Sequence, residues 1–125
     1  MIDSQEVSEA GESPGFAITA RWVGTTLTFY VKGDLDLATG PYVVEGIESA
    51  MFSRQVPACT VQLDLAGVDF LDARGYASLR AAVRAVRLNG ADCTLTDLSE
   101  PVARLFRLVD DEDLSAIISD AGLRV

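Results

Sequence analysis

The order in which two hydrophobic periodicities alternate constrains the fold of this chain more than any other feature. Residues 16–23 and 26–32 are rich in β-branched and aromatic side chains and flank a Gly24-Thr25 turn, which predicts a β-hairpin. Helical and strand periods then alternate to the end of the chain. The predicted helices are residues 39–52, 73–88 and 99–109, and the predicted strands between and after them are residues 59–65, 93–96 and 114–118.

This order predicts a single small α/β domain. A chain of 125 residues suits one hydrophobic core, and strands joined through helices form a parallel sheet by right-handed crossovers. Residues 59–65 alternate apolar and polar side chains, so one sheet face is expected to be wetter than the other. We therefore expect a mostly parallel sheet of four to five strands, with an N-terminal hairpin and helices packed mainly on one face.

The first 15 residues differ from the rest. They contain Asp3, Glu6, Glu9 and Glu12, no basic residue and no apolar period. This composition is typical of a disordered acidic tail, so the folded domain is predicted to span residues 16–125.

Composition excludes several classes of function. The chain has no histidine and only two cysteines, so it cannot build a Ser-His-Asp triad or a histidine-ligated zinc site. No catalytic residue, metal or cofactor is predicted, and the protein is not expected to be an enzyme. A net charge of −9 argues against a nucleic-acid partner. No apolar run approaches the roughly 20 residues of a membrane span, so we expect no direct membrane insertion. We also expect a cytoplasmic protein that is a monomer or a weak dimer.

Three stretches carry a resemblance to a known family. They are GDLDLATGPYVVEGI, VQLDLAGVDFLDARGYASLRAA and DLSEPVARLFRLV. In this order they resemble the STAS domain of bacterial anti-sigma factor antagonists (anti-anti-sigma factors), from about Phe16 to Ile118. The resemblance implies a signalling protein that binds an anti-sigma factor, often a kinase-type ATPase, and so regulates sigma-factor-dependent transcription. An alternative within the same resemblance is an accessory subunit of a membrane transporter complex.

The resemblance also implies a switch that this chain has altered. The typical switch of the family is a phosphorylated serine or threonine at a loop-to-helix junction, in a pattern such as Asp-Ser-Ser-Gly. The corresponding residues here are Asp72, Ala73, Arg74 and Gly75, so Arg74 stands at the phosphoacceptor position. Arginine cannot accept a phosphoryl group, and we predict no phosphorylation at that position. A guanidinium at a helix N-terminus is unfavourable unless it is paired, and we expect Asp72 or Asp36 to pair with it.

The partner surface is predicted to centre on the two loops and to continue onto the helix after Gly75. Its residues are Asp36, Leu37, Asp72, Ala73, Arg74, Gly75, Ala77, Arg80, Ala81 and Arg84. Structural roles compete with this interpretation. Asp36 is also suited to satisfying backbone N–H groups in a turn, and alanine and arginine are good helix formers whose presence needs no partner.

Cys59 and Cys93 are predicted at inward-facing positions on two strands. Free cysteines are commonly small buried hydrophobes, which is the simpler interpretation. A redox pair that replaces the lost phosphorylation switch is the alternative, since adjacent strands lie within reach of a disulfide.

Overall fold

The computed structural model describes the backbone of residues 6–13 and the full residues 15–119. Its elements, in chain order, are β1 (Glu6–Ser13), β2 (Phe16–Val23), β3 (Thr26–Leu35), α1 (Gly40–Met51), β4 (Thr60–Leu71), α2 (Ala73–Leu88), β5 (Asp92–Thr96), α3 (Glu100–Val109) and α4 (Glu112–Ser115).

The five strands form one sheet in the order β1-β2-β3-β4-β5. The pairs β1–β2 and β2–β3 are antiparallel, whereas β3–β4 and β4–β5 are parallel. The predicted hairpin is confirmed, and Gly24 at its tip has a φ of 61°, a value that glycine adopts without strain. α1 and α2 are the crossovers that the two parallel pairs require, so the predicted α/β class is also confirmed.

The helices cover one face of this sheet. α1 packs against β1, β2 and β3, α2 packs against β3, β4 and β5, and α3 packs against β4. Leu27, Phe29 and Val31 of β3 are buried beneath them, while Tyr30 and Lys32 on the opposite side are exposed. The apolar-in, polar-out alternation of the strands therefore arises from a core on one side only.

The predicted disordered tail is wrong for Glu6–Ser13, which form β1 at the edge of the sheet. Main-chain pairing with β2 needs no apolar period in the added strand, and this is why composition misses it. The rest of the predicted tail lies outside the described residues, apart from Gly15.

The predicted last strand, residues 114–118, is wrong for most of its length. Asp111 accepts the backbone N–H groups of Asp113 and Leu114 at 3.0 and 3.2 Å and so caps the short helix α4. Ile118 alone forms a parallel bridge, with Leu95 of β5. The cap converts the start of the predicted strand into a helical turn.

Candidate functional site

Asp36 organises the turn between β3 and α1. Its Oδ1 accepts the backbone N–H groups of Ala38 and Thr39 at 3.0 and 3.1 Å. The Thr39 hydroxyl donates to the Asp34 carbonyl oxygen at 2.7 Å and accepts the N–H of Asp36 at 3.0 Å. Thr39 thus occupies the predicted cap position of α1, but its side chain bonds back to the strand. The carboxylate of Asp36 serves the turn, and Leu37 at the tip is left 64% exposed.

The junction between β4 and α2 is built in a similar way. Asp72 is the N-cap of α2, and its Oδ1 accepts the N–H of Gly75 at 2.8 Å. Ala73 and Arg74 lie in the first turn of the helix with their side chains exposed. The hydrogen bond from Gly75 to the Asp72 carboxylate therefore fixes where α2 begins, and the side chains of Ala73 and Arg74 project from this start.

Gly75 brings these two turns together. A Cβ atom at position 75 would collide with the carbonyl oxygen of Leu35, the last residue of β3. A Cβ atom at Gly40, the first residue of α1, would collide in the same way with the side chain of Ser78 in α2. The starts of both helices are therefore in close contact, and the structure brings together the two predicted loop segments.

Phe70 belongs to the same surface and is missed by the sequence analysis. β4 continues to Leu71, and the register pairs Asp34 with Phe70 and Leu35 with Leu71. Asp69 and Phe70 are both exposed, because the burial alternation of β4 breaks near its end, where the pairing with β3 is irregular. Phe70 is 47% exposed beside the β3–α1 turn. We call Asp36, Leu37, Phe70, Asp72, Ala73 and Arg74 the loop surface.

The predicted ion pair of Arg74 is absent from the described part of the chain. Within residues 15–119, the Arg74 guanidinium has no carboxylate within ion-pair distance. The two predicted partners, Asp36 and Asp72, are instead engaged by backbone N–H groups. Backbone N–H groups at each turn lie close to the carboxylate and are held in place by the main chain. Each carboxylate therefore accepts hydrogen bonds from its own turn and not from the Arg74 guanidinium. The loop surface therefore presents a cation together with two exposed apolar side chains.

The remaining predicted partner residues lie on α2. Ala77, Ala81 and Arg84 are exposed, and Arg80 pairs with Asp111 at 3.3 Å. All four residues therefore lie on the exposed side of the helix.

Asp111 is a second residue that the sequence analysis misses, because it lies among four consecutive acidic residues, 110–113, and belongs to no recognisable motif. The hydroxyl of buried Tyr76 donates to its Oδ2 at 2.6 Å. This hydrogen bond is the main reason why the pKa of Asp111 is lowered, and burial together with the same bond raises the pKa of Tyr76. Asp111 thereby stays ionised and joins the start of α2 to α4.

The two cysteines differ in their surroundings. Both are free thiols; Cys93 is buried, and burial raises its pKa to about 11, whereas Cys59 is exposed just before β4. The inward orientation is therefore wrong for Cys59. In the register of the sheet, Val61 rather than Cys59 lies opposite Cys93. This geometry favours two independent thiols over the redox pair.

The described residues contain no group of three or more potential metal-ligating side chains. None of the helices in residues 15–119 is long and apolar enough to cross a membrane.

Comparison with known proteins identifies the family. The model of the STAS domain matches residues 17–120, and the chain belongs to this family. Among curated proteins, the anti-sigma-B factor antagonist of Listeria monocytogenes is 29% identical over 92 residues, which cover 74% of this chain and 75% of the relative.

Solved structures show the same fold. The anti-sigma factor antagonist SpoIIAA, in its unphosphorylated form, superposes with a TM-score of 0.65 at 21% identity, covering 84% of this chain and 88% of that chain. A sulfate transporter family protein from Wolinella succinogenes superposes with a TM-score of 0.60 at 13% identity and 76% coverage of both chains.

Proposed function

We propose that this protein is an anti-sigma factor antagonist that binds an anti-sigma factor through the loop surface. The curated relative from Listeria carries that function in its name, and the comparison covers most of both chains. The observation that carries the proposal is the joined pair of turns, held by Gly75 against Leu35, with Leu37, Phe70 and Arg74 exposed where β3 and β4 end. Exposed apolar side chains on the same surface as a cation are suited to protein recognition.

The proposal includes the loss of phosphorylation control at the helix start. Arg74 occupies the position of the family's modifiable hydroxyl, while Asp72 and Gly75 still form the junction around it. Ser78, the only serine of α2, packs against Gly40 and is half-buried. On this proposal, no phosphoryl group at residue 74 controls the binding of the partner.

Purified anti-sigma factors from the same genome, assayed by calorimetry, test this function. One of them is expected to bind, and binding should release its sigma factor in a transcription assay. Leu37→Ala and Phe70→Ala should each weaken binding by about tenfold or more, as for anchor residues of an interface. Leu108→Ala, which removes an exposed leucine from α3, is the matched control and should leave affinity unchanged.

Two results contradict the proposal. The first is the absence of binding to every anti-sigma factor of the genome; binding to a transporter subunit instead would favour the alternative function. The second concerns the switch alone. Incubation with the bound anti-sigma factor and MgATP should leave the intact mass unchanged, and a stoichiometric phosphate adduct would contradict the loss of phosphorylation control.

A further inference from the structure

α2 carries a charge opposite to that of the remaining chain. It contains four of the ten basic residues of the protein and no acidic residue. The net charge is −9, and subtracting the +4 of α2 leaves −13 on the other residues. A cationic helix on so acidic a molecule attracts anionic surfaces and orients them toward one place.

Three of these arginines lie on the side of α2 that faces α4. At 100° per residue, Arg84 lies about 40° and Arg87 about 20° from Arg80 around the helix axis. An open groove of about 450 Å³ runs along this side. Its α2 wall contains the three arginines and Leu88, and its α4 wall contains Asp113 and Leu114. Leu88 is 75% exposed, so the groove has a cationic side and an apolar end.

The groove is preformed. Asp111 caps α4 through two backbone N–H groups and holds it to α2 by the Tyr76 hydroxyl at 2.6 Å and the Arg80 guanidinium at 3.3 Å. Leu114 is buried beneath this contact. Arg84 and Arg87, by contrast, have no ion pair with any of residues 15–119. The α4 side of the groove is therefore held in place, and it lies beside Arg84 and Arg87, which form no ion pair with the described residues.

We propose that this groove binds an acidic amphipathic helix of a partner protein. Arg80, Arg84 and Arg87 follow each other by about 6 and 4.5 Å along the axis of α2, at 1.5 Å per residue. Glutamates at i, i+4 and i+7 of a second helix repeat the same spacing, and each presents the planar carboxylate that a guanidinium binds. An apolar residue at the end of that series would contact Leu88.

Other occupants fit less well. The groove is open along its length, whereas sites for small molecules enclose most of their ligand. A nucleic acid or an anionic membrane would extend far beyond the groove. Either would then be repelled by the net charge of −13 on the residues outside α2. The proposed surface adds to the loop surface and does not depend on the function proposed above.

Binding of a defined peptide tests the groove. The probe is a helical peptide of about 15 residues with glutamate at i, i+4 and i+7 and leucine beside them. Its control has the same composition with the glutamates spread around the helix. Titration followed by NMR should shift the signals of Ala81, Leu88 and Leu114 and leave Leu37 and Phe70 unchanged. The variant Arg84→Gln/Arg87→Gln should weaken affinity about tenfold, and rising salt should weaken it further. Arg104→Gln/Arg107→Gln on α3 is the matched control.

Several outcomes would overturn the proposal. They are no binding of the patterned peptide, equal affinity for the control peptide, an equal loss in the α3 variant, and shifts that centre on Leu37 and Phe70. If the protein bound vesicles of anionic lipid more strongly than it bound the patterned peptide, and if Arg84→Gln/Arg87→Gln abolished this binding, the groove would be assigned to a membrane surface instead. Failure of the loop-surface experiment with anti-sigma factors would leave all these readouts unaffected, because they concern other residues and another probe.

Discussion

Arg74 lies in the first turn of α2, where the free N–H groups and the helix dipole favour negative charge. Its guanidinium has no compensating ion pair with residues 15–119. An exposed cation at this end of a helix opposes the stability of the isolated domain, although only weakly, because solvent screens it. Arg74 is therefore better explained by contact with a partner than by folding.

Arg74→Glu is expected to increase the free energy of unfolding by about 0.5–1 kcal/mol, because it replaces a cation with an anion beside the helix N-terminus. The same variant should lose affinity for the anti-sigma factor, since the charge of the loop surface is reversed. Urea unfolding and calorimetry measure the two effects.

Arg74→Gln is the control, since it removes the cation without adding an anion and should add less stability than Arg74→Glu. A loss of stability in Arg74→Glu would show that Arg74 has a structural role instead.

Cys59 and Cys93 are expected to react very differently with iodoacetamide. Because its pKa is raised to about 11, Cys93 remains a buried thiol at pH 8 and presents almost no thiolate. Cys59 is exposed. Mass spectrometry of the native protein should show one fast adduct, at Cys59, and a second only in denaturant. Equal labelling of both thiols, or an intramolecular disulfide after mild oxidation, would instead support the redox pair.

Tyr76 and Asp111 join two elements that are distant in sequence. The Tyr76 ring packs edge-on against Phe106 of α3, with centroids 5.4 Å apart, and its hydroxyl reaches Asp111 at the start of α4. The Asp111 side chain is only 10% exposed, yet it is fully engaged by Tyr76, Arg80 and the cap of α4. This one carboxylate therefore determines how a four-residue helix is held in place.

Tyr76→Phe keeps the ring contact and removes the hydroxyl, so it isolates the hydrogen bond to Asp111. We expect the free energy of unfolding to fall by about 1–2 kcal/mol, since a hydrogen bond to a charged group is lost. The substitution should accelerate amide exchange in α4 more than it accelerates amide exchange in α1. Tyr30→Phe, on an exposed tyrosine of β3, is the matched control and should change stability by less than about 0.5 kcal/mol. Equal effects of the two substitutions would contradict this role of Asp111.

At the scale of the whole molecule, the uncovered sheet face contains a half-buried acid. Burial raises the pKa of Asp64, the N–H of Ala66 lowers it through a hydrogen bond at 3.0 Å, and nearby Asp97 raises it again. An acid whose pKa is raised by folding binds protons more tightly in the native state. It therefore favours folding at low pH, and this contribution is lost as the pH rises through the native pKa.

Asp64→Asn keeps an oxygen that can accept the Ala66 N–H and removes the charge. The variant should be more stable than the parent at pH 7, and the difference should shrink as the pH falls below the ordinary carboxyl range. Urea unfolding of both proteins, at pH 7 and at a pH below the ordinary carboxyl range, measures this difference in stability. Asp69→Asn, on an exposed acid of the same strand, is the control for the substitution itself. A difference that grows toward acid would reverse the assigned sign.

Much of the fold is determined by patterns that are local in sequence. Alternation of apolar residues in β2, β3 and β5 and the helical period of α1, α2 and α3 require only each segment's own side chains, because burial of one face follows directly from the period. The motif Asp72–Gly75 is likewise local, since an N-cap acts within three residues. The α/β class, the hairpin and the position of Arg74 at a helix start were therefore predictable.

Contacts between distant segments decided the rest. β1 forms by main-chain pairing with β2, and α4 replaces a predicted strand because Asp111 is engaged both by its own cap and by Tyr76. Phe70 joins the loop surface only through the register of β4 against β3. The periodicity of a single segment determines which face it buries, but hydrogen-bond partners, register and ion pairs depend on which other segment lies opposite, and the tertiary structure alone specifies that.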